Sequence, residues 1–172
     1  MSVLLKQPGD ASPVDVVLGF DDPLHYKINP TYFGVLVGRV ANRISDGTFV
    51  LEGKKVIQGS HVYLTFQYHL PINNPPNSLH GGFKGFSYQV WTPEVTLDSL
   101  TLRLESPDED QGFPGLLKTQ ITYSILAGES APGKPRMFGI GIDYAAEVFD
   151  SATIVNLTNH SYFNLAGHES GI

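Results

Sequence analysis

Glycine or proline interrupts this chain so often that no helical period survives between the breaks. Eighteen glycines and twelve prolines are spread over 172 residues. Glycine opens backbone conformations that suit turns, and proline removes a hydrogen-bond donor and fixes φ. What survives is a period of two. Residues 117–126 set Thr119, Ile121, Tyr123 and Ile125 against Lys118, Gln120, Thr122 and Ser124. Residues 61–69 set Val62, Leu64, Phe66 and Tyr68 against Tyr63, Thr65, Gln67 and His69. Such alternation marks a strand with one face buried. The chain therefore reads as all-β, with roughly nine or ten short strands, compatible with an antiparallel sandwich.

Further strands are predicted over residues 14–20, 32–38, 88–91, 100–105 and 152–157. Asp46-Gly47 is a tight-turn signal that predicts a hairpin between Arg43-Ile44 and residues 48–51. Glu52-Gly53-Lys54-Lys55 reads as a second turn. Gly139 and Gly141 weaken residues 137–142 as a strand, and residues 143–148 are ambiguous between helix and strand. The proline-bearing run 70–78 and the run 128–135 are connections. Residues 106–115 carry three carboxylates but lack the ligand spacing of a calcium loop, so they read as a solvated acidic turn.

A formal charge of −6, with no run of Lys or Arg longer than two, argues against nucleic acid or an anionic membrane surface as partner. No apolar run is long enough to span a bilayer. The N-terminus does not have the layout of a signal peptide, and cysteine is absent. A soluble cytoplasmic protein of one domain is the expectation.

Residues 156–167 hold the densest chemistry: Asn156, Thr158, Asn159, His160, Ser161, Tyr162, Phe163 and Asn164. Amides and hydroxyls both donate and accept hydrogen bonds, as sugar hydroxyls require. Histidine moves protons near neutral pH. This stretch reads as the wall of a polar pocket with a proton carrier. His80 stands among Gly81, Gly82 and Gly85, where backbone approaches something closely or turns sharply. Arg39 and Arg43 follow an apolar run, and a guanidinium near a core meets fixed oxygen acceptors.

Four ordered motifs then carry a resemblance. Gly38-Arg39-Val40-Ala41-Asn42-Arg43-Ile44, Asn77-Ser78-Leu79-His80-Gly81-Gly82 with Lys84-Gly85-Phe86, Asp110-Gln111-Gly112-Phe113-Pro114-Gly115, and residues 156–167 resemble those of the aldose 1-epimerases, the galactose mutarotases. The resemblance implies an antiparallel β-sandwich of the galactose mutarotase type, with a sugar cleft across one sheet. It implies interconversion of the α and β anomers of free hexoses, galactose and glucose, with no metal or organic cofactor. By matching position, His160 is the proton donor to the ring oxygen. His80 hydrogen-bonds the sugar near that oxygen, Asn42 and Arg43 bind hydroxyls, and Tyr162 lies in the pocket wall. His25, His61, His69 and His168 match no motif position.

The resemblance also implies an incomplete family domain over residues 1–172. The family's first strands and its later motifs, with the base glutamate and a sugar-binding aspartate, have no counterpart, and residues 56–69 and 128–138 look inserted. Asp108, Glu109, Asp110 and Glu169 are poor replacements for the base. The expectation is little activity from this chain alone and self-association through open strand edges. The alternative is a non-catalytic sugar-binding or regulatory fragment.

Overall fold

The computed structural model describes residues 2–6, 12–57, 60–128, 138–149 and 151–168. Ten strands are found among them, every ladder is antiparallel, and the helical segments are 3-10 segments of three to five residues. No helix among the described residues is long and apolar enough to cross a membrane. The chain divides into two compact units. One joins Met1–Val37 with Thr158–Ile172, and the other is Gly38–Leu157.

In the first unit the ladders are short. β1 (Leu4–Leu5) pairs with β2 (Val14–Asp15), and β3 (Leu36–Val37) pairs with β10 (Thr158–Asn159). A single bridge links Val17 to Phe163. The strand expected over 14–20 is thus cut to two residues and a bridge, although Val16 and Val17 are buried as a core strand would be. Residues 32–38 likewise yield only β3, because positive-φ positions at Tyr32 and Gly34 break extended geometry.

The second unit holds the long ladders. β4 (Thr48–Ile57) pairs with β5 (Ser60–His69) over their full length. The turn expected at residues 52–55 is therefore absent. Gly53-Lys54-Lys55 lies inside β4, and the connection falls between Ile57 and Ser60 instead. The Asp46-Gly47 turn forms, with φ of 53° and 58°. It does not make the expected hairpin, because Ile44 bridges to Ser78 while β4 goes to β5. The period-two reading of 61–69 gave the strand, but Phe66 is exposed.

β6 (Thr92–Val95), β7 (Ser99–Ser106), β8 (Leu116–Ala127) and β9 (Phe138–Phe149) form a four-stranded meander in that order. Residues 86–88 form a 3-10 turn, so the strand expected over 88–91 starts later, at Thr92. β9 is continuous through Gly139 and Gly141, because all twelve of its residues pair with β8. On β8 the side chains alternate as read as far as Ile121, and beyond it Tyr123 is half-buried and Ile125 is exposed. Leu117, Thr119 and Ile121 are buried, with Phe86 and Phe113 also in the core of this unit. Each such apolar side chain contributes about 1.5–3 kcal/mol when fully buried. The final strand expected over 152–157 is reduced to a bridge from Asn156 to Val40, followed by β10. Most of the segment 128–138 lies outside the described residues.

Candidate active site

In the second unit, three stretches distant in sequence converge on His80. Residues 41–44 run antiparallel to residues 78–80: Ile44 N donates to Ser78 O at 2.8 Å, Ser78 N to Ile44 O at 3.0 Å, and His80 N to Ala41 O at 3.2 Å. The chain reverses at residues 79–82, closed by Gly82 N to Leu79 O at 3.1 Å. His80 and Gly81 sit at φ of 55° and 78°. Histidine tolerates the left-handed region better than most side chains. Gly81 is required on two counts, since a Cβ there would also collide with the Gly38 carbonyl.

Asn73 staples this turn. Its Nδ2 donates to Leu79 O at 2.8 Å and Gly82 O at 2.9 Å, and its Oδ1 accepts from Leu79 N at 2.8 Å. Gln111 supports the other flank, with Oε1 accepting from Lys84 N at 3.0 Å. Nothing in composition singled out Asn73 or Gln111. The nearest signal for Asn73 was its place in a proline-bearing run that cannot be regular structure.

The His80 ring is fixed chemically as well as sterically. Nδ1 lies 2.7 Å from Ala41 O. A carbonyl oxygen only accepts, so Nδ1 carries the proton. In the neutral ring Nε2 is then an acceptor, and it donates only when the ring is an imidazolium. Asn42 and Arg43 are exposed beside this turn. Asn42 Oδ1 accepts from Arg43 N at 2.7 Å, and Arg43 Nε donates to Asn74 Oδ1 at 2.9 Å.

Arg39 has the opposite fate, with 1% exposure. Nε donates to Ser106 Oγ at 2.9 Å. Nη1 donates to Pro114 O at 2.9 Å and Thr153 Oγ1 at 3.3 Å, and Nη2 to Ser106 O at 3.0 Å and Pro107 O at 2.6 Å. Ser106 Oγ in turn donates to Asp110 Oδ2 at 2.6 Å, and Asp108 Oδ1 accepts from Gly115 N. Burial pushes the Arg39 pKa down from its ordinary value, and the charges of Asp110 and Asp108 push it back up. The acidic loop 106–115 is thus not simply a solvated turn. It wraps a buried cation, and two of its acids make internal hydrogen bonds.

In the first unit, His160 is held by its backbone on both sides. His160 N donates to Val35 O at 2.9 Å, and His160 O accepts from Gly34 N at 3.1 Å. Its imidazole lies 5.0 Å from the Tyr162 ring and 5.8 Å from the Tyr32 ring, centroid to centroid. Phe33 meets Tyr162 edge-on at 5.4 Å. Two asparagines of the motif bond to backbone through their side chains. Asn159 Oδ1 accepts from Ser161 N at 2.9 Å, and Asn164 Nδ2 donates to Gly167 O at 2.9 Å. Asn42, Arg43 and His80 are therefore brought together in one unit, and His160 and Tyr162 in the other. Tyr32 is a member of the His160 cluster that the sequence did not mark. Among the described residues no group of three or more His, Asp or Glu is placed to hold a metal ion.

The chain matches the model of a family described as aldose 1-epimerase over residues 3–172. It is 46% identical over 156 residues to galactose mutarotase of Rattus norvegicus, covering 91% of this chain and 39% of the relative. It is 33% identical over 164 residues to aldose 1-epimerase of Escherichia coli K12, covering 95% and 41%. An aldose epimerase homologue from C. elegans superposes with a TM-score of 0.72 at 28% identity, over 98% of this chain and 45% of that one. Galactose 1-epimerase from Lactobacillus acidophilus NCFM gives a TM-score of 0.62 at 26% identity, over 88% and 40%. The chain spans about two fifths of the length of the curated relatives it matches.

Proposed function

From the premise that this chain belongs to the aldose 1-epimerase family, an isomerase family with an all-β antiparallel fold of the galactose mutarotase type, we propose that its residues serve the interconversion of α and β anomers of a free hexose, galactose or glucose. The observation that carries this reading is His160, fixed by two backbone hydrogen bonds and set beside two tyrosine rings within the motif that the family match includes. In the proposed reaction His160 protonates the ring oxygen while a base takes the proton from the C1 hydroxyl. The ring opens to an aldehyde, C1 turns about the C1–C2 bond, and closure follows on the other face. Acid and base act on atoms attached to one carbon, so both must be held in position together. Tyr162 lines the pocket wall, and Asn42 and Arg43 bind hydroxyls. A sugar ring oxygen bears no hydrogen, so His80 donates to it only as an imidazolium; the neutral ring accepts a neighbouring hydroxyl at Nε2.

These 172 residues offer no glutamate at a family position for the base. Asp108 and Asp110 are engaged by Gly115 N and Ser106 Oγ, which favours the second reading, sugar binding without turnover. A general acid or base contributes about 10²- to 10⁴-fold to rate, so this chain alone has little mutarotase activity. Polarimetry of freshly dissolved α-glucose tests this, and a rate near that of a full-length relative would sink it. Galactose titration followed on the His80 and His160 ring resonances tests binding: saturable shifts support either reading, and silent rings remove both. We also assign self-association of this chain to the outer edge of β9, with a test given below.

A further inference from the structure

Tyr32 stands in a backbone conformation that tyrosine rarely takes. Its φ is 59°, where the Cβ of an ordinary residue crowds the following carbonyl and only glycine, asparagine or aspartate settle routinely. Strain of this kind persists where the surroundings impose it, and an observed outlier points toward function. The surroundings here are explicit. Asn29 Oδ1 accepts from Phe33 N at 3.0 Å and from Thr31 Oγ1 at 3.3 Å, and Asn29 Nδ2 donates to Phe33 O at 3.0 Å. Tyr32 N donates to Asn29 O at 3.1 Å. The knot that results is docked on His160 through Gly34 N and Val35 O.

The same loop shows what the chain does when only the backbone matters. Two residues on, φ is again positive at 65°, the residue is glycine, and a Cβ there would meet nothing within 4 Å. At 34 the chain uses the residue that costs no strain. At 32 it keeps a large aromatic, half-buried, with its ring centroid 5.8 Å from the His160 imidazole and tilted by 34°. Tyr162 is the imidazole's other ring neighbour, at 5.0 Å.

We infer that Tyr32 is a positioning residue for His160, held in a strained turn so that its ring packs against the imidazole and fixes its orientation. The backbone of His160 is set by residues 34 and 35, but backbone bonds do not fix a side-chain rotamer, and the contact with the Tyr32 ring is one that bears on it directly. The consequence for proton transfer rests on the reading of His160 as the sugar's proton donor. The packing itself does not.

The test uses the isotope-labelled chain and three variants: Tyr32→Phe, Tyr32→Gly and Tyr32→Asn. The last two suit a left-handed backbone without supplying a ring, so folding is spared. Read are the ring proton shifts and χ1 couplings of His160, with the amides of Gly34, Val35 and His160 as the control for the docked loop. Tyr32→Phe is expected to keep the wild-type imidazole signals. Tyr32→Gly and Tyr32→Asn are expected to move them and to average the rotamer, while the control amides hold. Imidazole signals unchanged in both variants overturn the inference. Control amides that move together with the ring also overturn it, since Tyr32 then merely supports the loop. Galactose added to the wild type decides the other question separately. His160 ring signals that ignore the sugar sink the proton-donor reading, and the sugar-free spectra still decide Tyr32.

Discussion

Arg39 is buried with every arm of its guanidinium against an oxygen of residues 106–114 or Thr153, whereas Arg43, four positions on, is exposed and reaches only Asn74. One motif thus supplies a fastener and a solvent-facing cation, and the spacing of apolar neighbours could not tell them apart. The fastener depends on a planar fork, which an ammonium does not reproduce. Arg39→Lys is expected to destabilise the chain by about 2–4 kcal/mol, because buried carbonyls lose their donors. Urea unfolding measures it, and a loss below about 0.5 kcal/mol, the usual scale of surface changes, would show that the fork is dispensable. His80 carries a second residue-scale expectation. Long-range nitrogen–proton correlation of the neutral ring should find the proton on Nδ1, as the 2.7 Å contact with Ala41 O requires; a proton on Nε2 would contradict the geometry.

At the scale of elements, the sequence spoke clearly where alternation was long and unbroken. β8 is legible because Leu117, Thr119 and Ile121 turn inward and Lys118 turns outward, as its period says. β9 was not, because Gly139 and Gly141 weaken local preference while the full-length partner β8 overrides it. The residues 52–55 misled for the same reason. Turn-forming composition lost to a ten-residue ladder with β5. Of the candidate site, His80, His160, Asn42, Arg43 and Tyr162 were proposed from ordered motifs. Asn73 and Tyr32 were not, and Gln111 stood in a motif without a role, since each acts through contacts made only in the fold. The two edges of the meander differ in a way that yields a prediction. β6 is four residues long and carries Pro93, both of which blunt an edge. β9 is twelve residues long and contains no proline or lysine; its Ile140 is 44% exposed, and the paired Ile125 of β8 is 66% exposed. Ile140→Lys is expected to shift sedimentation toward the monomer, as an edge charge should. A wild-type chain that is monomeric at every concentration would remove the premise.

On the scale of the whole molecule, the two units are stabilised differently, and the first carries a carboxylate whose loss of charge can be followed. The first closes segments from opposite ends of the sequence with two-residue ladders and one bridge. Part of its N-terminal pairing hangs on Asp15, whose Oδ1 accepts from Val17 N at 3.0 Å and Val3 N at 3.1 Å. The Val17 amide lowers the carboxyl pKa most. Burial opposes it, and the Ser2 hydroxyl, the Val3 amide and the charge of His168 lower it further. A folded pKa below the unfolded one means that the unfolded chain binds the proton more readily. The stabilisation is therefore complete above the unfolded value, about 4, and is lost as pH falls through the folded one. The expectation is that the amides of Val3 and Val17 lose their folded-state shifts below about pH 4. In Asp15→Asn the acid transition of the first unit should disappear, because the side chain no longer titrates. An acid transition at the same pH in that variant would place the sensitivity elsewhere than Asp15.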